Sequence, residues 1–187
     1  MSKIIIISSS VRTNRSSHRV ALYFKNYLAE HHSDQEVEIV DLNALNFPIF
    51  EERLSNQKSP SEKVKKFAAQ VVESDGVIIV TPEYNSGYPA SLKNVIDLLH
   101  PEWRRKPIAI STVSSGAFAG SQVIISLQFV LWKIRSWVVP AQFPVPNVNE
   151  SFDEKGKPSD QKETDKRAKD FLGELLWCME ANEKMTK

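Results

Sequence analysis

A chain of 187 residues, 41% hydrophobic and 25% charged, holds enough apolar material for one sizeable core, so a single domain over 1–187 is expected. The 24 Lys and Arg against 23 Asp and Glu leave a formal net charge of +1, and nothing draws such a chain to nucleic acid or to an anionic membrane. No apolar run approaches the roughly 18 residues of a membrane span, the N-terminal isoleucines are too few for a signal peptide, and the single Cys178 cannot form an internal disulfide, all of which predicts a cytoplasmic protein.

Ile4, Ile5, Ile6 and Ile7 form a β-branched run that stops at Ser8, Ser9 and Ser10; Val20, Ala21, Phe24, Tyr27 and Leu28 then recur on one helical face. The chain thus begins strand, loop, helix, with His31 and His32 closing the helix. Val37, Ile39 and Val40 suggest a second strand. Residues 41–57 carry Pro48 and little periodicity, which predicts a surface excursion with Leu45, Phe47, Ile49 and Phe50 partly tucked in. Ser59, Pro60 and Glu62 supply a cap, a proline at the first helical position and a glutamate three residues after the cap, so a helix is expected to run to about Glu73.

Residues 76–80 and 107–113 are nearly continuous in apolar side chains instead of alternating, the pattern of strands covered on both faces in a parallel sheet. Between them, residues 92–99 are helix-like, with Lys93 and Asp97 four apart and able to pair across one turn. Residues 121–134 read as a helix that is apolar almost all round, either deeply buried or shared with a second copy. A fifth strand is expected over 137–143, with Pro140, Pro144 and Pro146 breaking regularity. The polar stretch 147–166 reads as a solvated loop, and Ala168, Phe171, Leu172, Leu175, Leu176 and Met179 keep helical spacing in the last helix, where Cys178 is expected in the core. Five strands alternating with helices predict a doubly wound α/β domain, with strand order 2-1-3-4-5 preferred for a chain this short.

In such a sheet a ligand lies beyond the carboxyl ends of the strands, where strand order reverses between the first and third. The loop after the first strand carries five Ser and one Thr hydroxyl and the guanidiniums of Arg12 and Arg15 just ahead of a helix, which suits a phosphate group as well as it suits a plain polar loop. It has no glycine, so neither the Gly-x-Gly-x-x-Gly nor the Gly-x-x-x-x-Gly-Lys phosphate loop is present. At the third strand, Pro82, Glu83, Tyr84, Asn85, Ser86, Gly87, Tyr88 and Pro89 form a turn with two rings to pack a planar group. The fourth strand ends in Ser114, Ser115, Gly116, Ala117, Phe118, Ala119 and Gly120, whose small residues allow close backbone approach. His18, alone in the first turn of a helix, is expected at the surface, and no second set of residues at metal-ligand spacing accompanies His31 and His32.

The pattern Ser10-x-Arg12-x-x-Arg15-x-Ser17-x-x-Val20-Ala21, with Pro82-Glu83-Tyr84-Asn85-x-Gly87-Tyr88-Pro89-Ala90-x-Leu92-Lys93-Asn94-x-Ile96-Asp97, resembles the NADPH-dependent FMN reductase family of flavodoxin-like oxidoreductases. The likeness extends from Lys3 to about Phe143, and the second motif is the more specific. It implies a flavodoxin-like three-layer α/β/α domain that binds FMN, takes a hydride from NADPH or NADH, and passes it to a quinone-like, flavin or other small acceptor, usually as a homodimer or higher homo-oligomer. Carried over by position, Ser10, Arg12, Arg15 and Ser17 hold the phosphate, Pro82, Glu83, Tyr84 and Asn85 flank the ring, and Ser114, Ser115, Gly116 and Gly120 border its other edge. Ser9 and Ala117 stand where that family usually has glycine. The cofactor carries the chemistry, so no side-chain acid or base is expected. The other reading is a flavodoxin-like FMN-binding or signalling module without turnover. A phosphoacceptor receiver is disfavoured by serines, not acids, after the first strand, and an electron-carrier flavodoxin by the near-neutral charge.

Overall fold

The computed structural model describes residues 1–186. Its elements in chain order are β1 (Ser2–Ser8), α1 (Ser17–His31), β2 (Gln35–Asp41), the single turn α2 (Leu42–Leu45), α3 (Glu62–Glu73), β3 (Gly76–Pro82), α4 (Ala90–Leu98), β4 (Pro107–Val113), α5 (Ser121–Lys133), β5 (Trp137–Val145), the short α6 (Val148–Ser151) and α7 (Gln161–Thr186). The five strands pair in parallel in the order β2-β1-β3-β4-β5, as expected.

The unbroken apolar strands follow from a sheet with two covered faces. Ile4 and Ile6 of β1 and Ile78 and Val80 of β3 join a core built with α1 and α7, while Ile5, Ile7, Val77 and Ile79 join the opposite core with α3 and α4. The four isoleucines of β1 are fully buried; each contributes on the order of 2 kcal/mol of apolar burial. On the α7 side Phe24, Phe143 and Phe171 meet with ring centroids 5.0 to 5.6 Å apart. Cys178 is buried there.

Several local expectations need correction. The helix α3 starts two residues late: Ser61 is its cap, its hydroxyl accepting from the Val64 amide at 3.4 Å. Strand β5 continues through Pro144 to Val145, with a register shift opposite Ile108 and Ile110; as an edge strand it needs no amide on its outer side, so proline is tolerated. Ile49 is 87% exposed, while Leu45, Phe47 and Phe50 pack partly buried against the α3–α4 side. The excursion is held by Asn94, whose Nδ2 donates to the Pro48 carbonyl at 2.8 Å and whose Oδ1 accepts from the Phe50 amide at 2.5 Å. The stretch 147–166 is also not a loop throughout. Val148 and Phe152 are buried, Phe152 bridges Pro158, and α7 has begun by Gln161. Apolar side chains at those two positions supply the burial that charged neighbours hide from a composition count.

Candidate functional site

The carboxyl ends of β1, β3 and β4 converge on a cleft of about 390 Å³, within the range of small-molecule sites. It is lined by Ser10, Arg12, Arg15 and Ser17 from the first loop, Pro82, Glu83 and Tyr84 from the second, and Ser114 and Ser115 from the third. Asn85, Gly116 and Gly120 lie outside its lining. Thr13, Asn14, Ser16 and Val113 also line it, as do Val148 and Asn149 from beyond β5. Sequence polarity hides that last pair, since 147–166 reads as a solvated stretch. The usable signal was topological: the loop after β5 must start beside the end of β4.

The first two loops are bolted together. Ser9, fully buried, donates its hydroxyl to the Val80 carbonyl at 3.0 Å, and Ser91 donates to the Ser9 carbonyl at 2.6 Å. The serine that replaces glycine here therefore ties β1 to β3. The hydroxyls of Ser10 and Tyr84 are 2.7 Å apart, and the Arg12 guanidinium lies 5.6 Å from the centre of the Tyr84 ring. Ser17 lines the cleft at the first position of α1. It is 4% exposed, and its Oγ is buried with no hydrogen-bond partner among the described residues. The Ser16 side chain makes no cap bond to α1 either. A helix start with an orphaned hydroxyl, in a cleft that an arginine also lines, can accommodate an anionic oxygen.

Arg15 is occupied differently. Its guanidinium grips both carboxylate oxygens of Asp41 at the end of β2, with Nη2 to Oδ2 at 2.5 Å, and donates to the Ser10 carbonyl at 3.0 Å. It shapes the loop from behind.

The turn after β3 is a two-residue hairpin. Tyr84 and Gly87 exchange backbone bonds of 2.8 and 3.0 Å, and Asn85 (φ 51°) and Ser86 (φ 65°) occupy the left-handed region that such turns require. Asn85 is thus a turn former. The Glu83 carboxylate accepts the amides of Gln122 and Val123 at 3.1 and 3.4 Å, capping α5 where its dipole favours negative charge. Gly120 (φ 70°) sits at that junction, where a Cβ would lie 3.2 Å from the Thr112 Cβ. Ala119 precedes it at φ 54°, a conformation that costs a non-glycine residue about 1 kcal/mol.

His18 is not simply a surface residue: it is half-buried with Nδ1 3.0 Å from the Ser8 hydroxyl. Burial, aided by the Arg15 charge and opposed by Asp41, pushes its pKa down. Burial alone would raise the Asp41 carboxyl, but the bonds from Arg15 and from the Asn43 amide hold it below the usual carboxylate range. The signs agree. Below about pH 6.5 the unfolded chain binds a proton at His18 that the fold resists, and below about pH 4 it binds one at Asp41, so both groups remove stability as pH falls. Thermal unfolding between pH 8 and 3 is expected to show two stages of loss, and His18→Gln, which can still bond Ser8, to remove the upper one. An unchanged profile in the variant excludes His18.

Comparisons with known proteins bear on the family and the fold. Residues 2–150 match the model of the NADPH-dependent FMN reductase family. The chain is 37% identical over 149 residues to the NAD(P)H-dependent FMN reductase LOT6 of Saccharomyces cerevisiae, covering 73% of this chain and 77% of that protein. It is 32% identical over 122 residues to a quinone reductase of Pseudomonas putida, covering 63% of this chain and 62% of that one. Among solved structures, the flavoenzyme NAD(P)H:acceptor oxidoreductase FerB of Paracoccus denitrificans superposes with a TM-score of 0.74 over 98% of both chains at 21% identity, a likeness of fold.

Proposed function

The chain belongs to the NADPH-dependent FMN reductase family, and on that premise we propose that it is an FMN-dependent NAD(P)H oxidoreductase whose cofactor lies in the cleft between β1, β3 and β4. The observation that carries the assignment of the site is the buried Ser17 hydroxyl at the start of α1, unpartnered among the described residues, in a cleft that Ser17 and Arg12 both line. Bound FMN supplies two-electron chemistry between NADPH or NADH and a quinone, free flavin or other small acceptor.

In this reading Ser10, Arg12 and Ser17 hold the phosphate with the first amides of α1, and Arg15 keeps their loop in shape through Asp41. Pro82, Glu83 and Tyr84, on the hairpin that Asn85 turns, flank the ring. Ser114 and Ser115 border its other edge, with Gly116 and Gly120 in the same loop but outside the cleft lining. Backbone amides of these loops complement negative charge on the reduced ring. No side chain is assigned as acid or base.

The test is direct. Purified protein is expected to gain flavin absorbance on incubation with FMN and to oxidise NADPH or NADH with a quinone only when FMN is present. Absence of FMN binding rejects the proposal, whereas binding without nucleotide oxidation identifies a module without turnover.

The same reading includes a homodimer in the cytoplasm. Helix α5 buries Val123, Ile124, Leu127 and Leu131 but leaves Ile125, Phe129 and Trp132 75%, 66% and 72% exposed on one stripe, a patch suited to a second copy. Sedimentation is expected to show a dimer at micromolar concentration and a monomer for Phe129→Glu; a monomeric wild type rejects this part. Cytoplasmic residence is supported by the lone Cys178, and among the described residues no helix is long and apolar enough to cross a membrane.

A further inference from the structure

Beyond β5 the chain runs along the cleft, which Val148 and Asn149 line. The Asn147 amide donates to the Gly116 carbonyl at 3.2 Å and the Val148 amide to the Ser114 carbonyl at 3.0 Å, which fastens this crossing to the loop after β4. One residue on, the Asn149 Oδ1 accepts from the Ser16 hydroxyl at 2.5 Å, which fastens it to the loop after β1. Asn149 and Ser16 both line the cleft beside Ser17, whose buried Oγ has no partner among the described residues. The second amide atom of Asn149 makes no hydrogen bond among those residues. Whichever way the amide is turned, one end meets Ser16 and the other is left for a ligand.

The positive charge available here is limited. Asp41 neutralises Arg15, so Arg12 is the guanidinium on the cleft without an ion pair among the described residues. A phosphate on the Ser17 side then has an unmet need for neutral donors, and Asn149, bonded to Ser16, lines the cleft there. We propose that Asn149 is a further cofactor-binding residue, donating its side-chain N–H to the phosphate end of the flavin, and so helps the site to select the phosphorylated cofactor, FMN, over riboflavin. The inference rests on the proposed function, since it concerns the same cleft.

Two variants and two ligands test it, with FMN and riboflavin titrated by fluorescence quenching. Asn149→Ala is expected to raise the Kd for FMN roughly 10-fold, the low end of what one hydrogen bond to a charged group is worth, and that for riboflavin by less than about 2-fold. Asn149→Asp still accepts from Ser16 but turns a carboxylate toward the phosphate. It is expected to weaken FMN further than alanine does, and more at pH 8 than at pH 5.5, because the second phosphate ionisation lies near pH 6; riboflavin binding stays flat with pH. Riboflavin is also the folding control. Equal weakening of both flavins overturns the proposal in favour of a purely structural tie between loops, and so does unchanged FMN affinity in both variants. If the wild type binds neither flavin, the proposed function itself fails, an outcome distinct from failure of Asn149 alone.

Discussion

Arg12→Ala is expected to weaken FMN binding by about 1.5–3 kcal/mol, roughly 10- to 100-fold in Kd, with no measurable change in thermal stability. The guanidinium is exposed, forms no ion pair among the described residues and rests over the Tyr84 ring, so its removal breaks little inside the fold. Of the two arginines that line the cleft, Arg15 is paired with Asp41 and Arg12 has no ion pair among the described residues. Arg15→Ala is the instructive contrast: it leaves the Asp41 carboxylate partly buried without its partner, so stability falls along with affinity. Isothermal titration with FMN, run beside a melting curve, separates the two. Unchanged affinity in Arg12→Ala removes that residue from the phosphate site.

The largest loss of stability from a single methyl group is expected at Gly156. Its φ is +82°, and a Cβ there would lie 2.7 Å from both the Arg19 carbonyl oxygen and the Tyr23 amide nitrogen of α1. Neither is the loose end of a side chain, so the turn must lift off the helix. Gly156→Ala is expected to cost about 3 kcal/mol or more, combining left-handed strain with overpacking. Lifting also breaks the 2.9 Å bond from the Arg19 guanidinium to the Phe152 carbonyl. Denaturant midpoints measure the loss, and a change below about 0.5 kcal/mol would show that the turn relaxes freely.

The fold was readable in the sequence because a sheet covered on both faces writes its strands as unbroken apolar runs. Ile4 through Ile7 could not be a half-exposed strand, and residues 107–113 were bounded as found. The three loops of the site followed from the strand order. Less could be read where a residue's role depends on distant partners. Nothing local to Arg15 announces Asp41, 26 positions away, and nothing local to Asn149 announces Ser16, 133 positions away. The polarity of 147–166 concealed Val148 and Phe152, and the apolar surround of α5 concealed which half of it the core would claim. His18 read as a lone surface imidazole because its partner, Ser8, belongs to the preceding strand.

The anchor of the loop proposed to hold the cofactor is an edge strand. Of β2 only Val40 is buried, yet Asp41 at its end holds Arg15 and, through Arg15, the carbonyl of Ser10. Edge strands open more readily than central ones. Ligand occupancy and the integrity of this margin are therefore linked quantities: a phosphate drawn to the loop after β1 resists the outward fraying of β2, and each opening of β2 loosens the phosphate. Amide exchange along β2 thus serves as a reporter of cofactor loading, slowing as FMN fills the cleft, although no atom of that strand lines it.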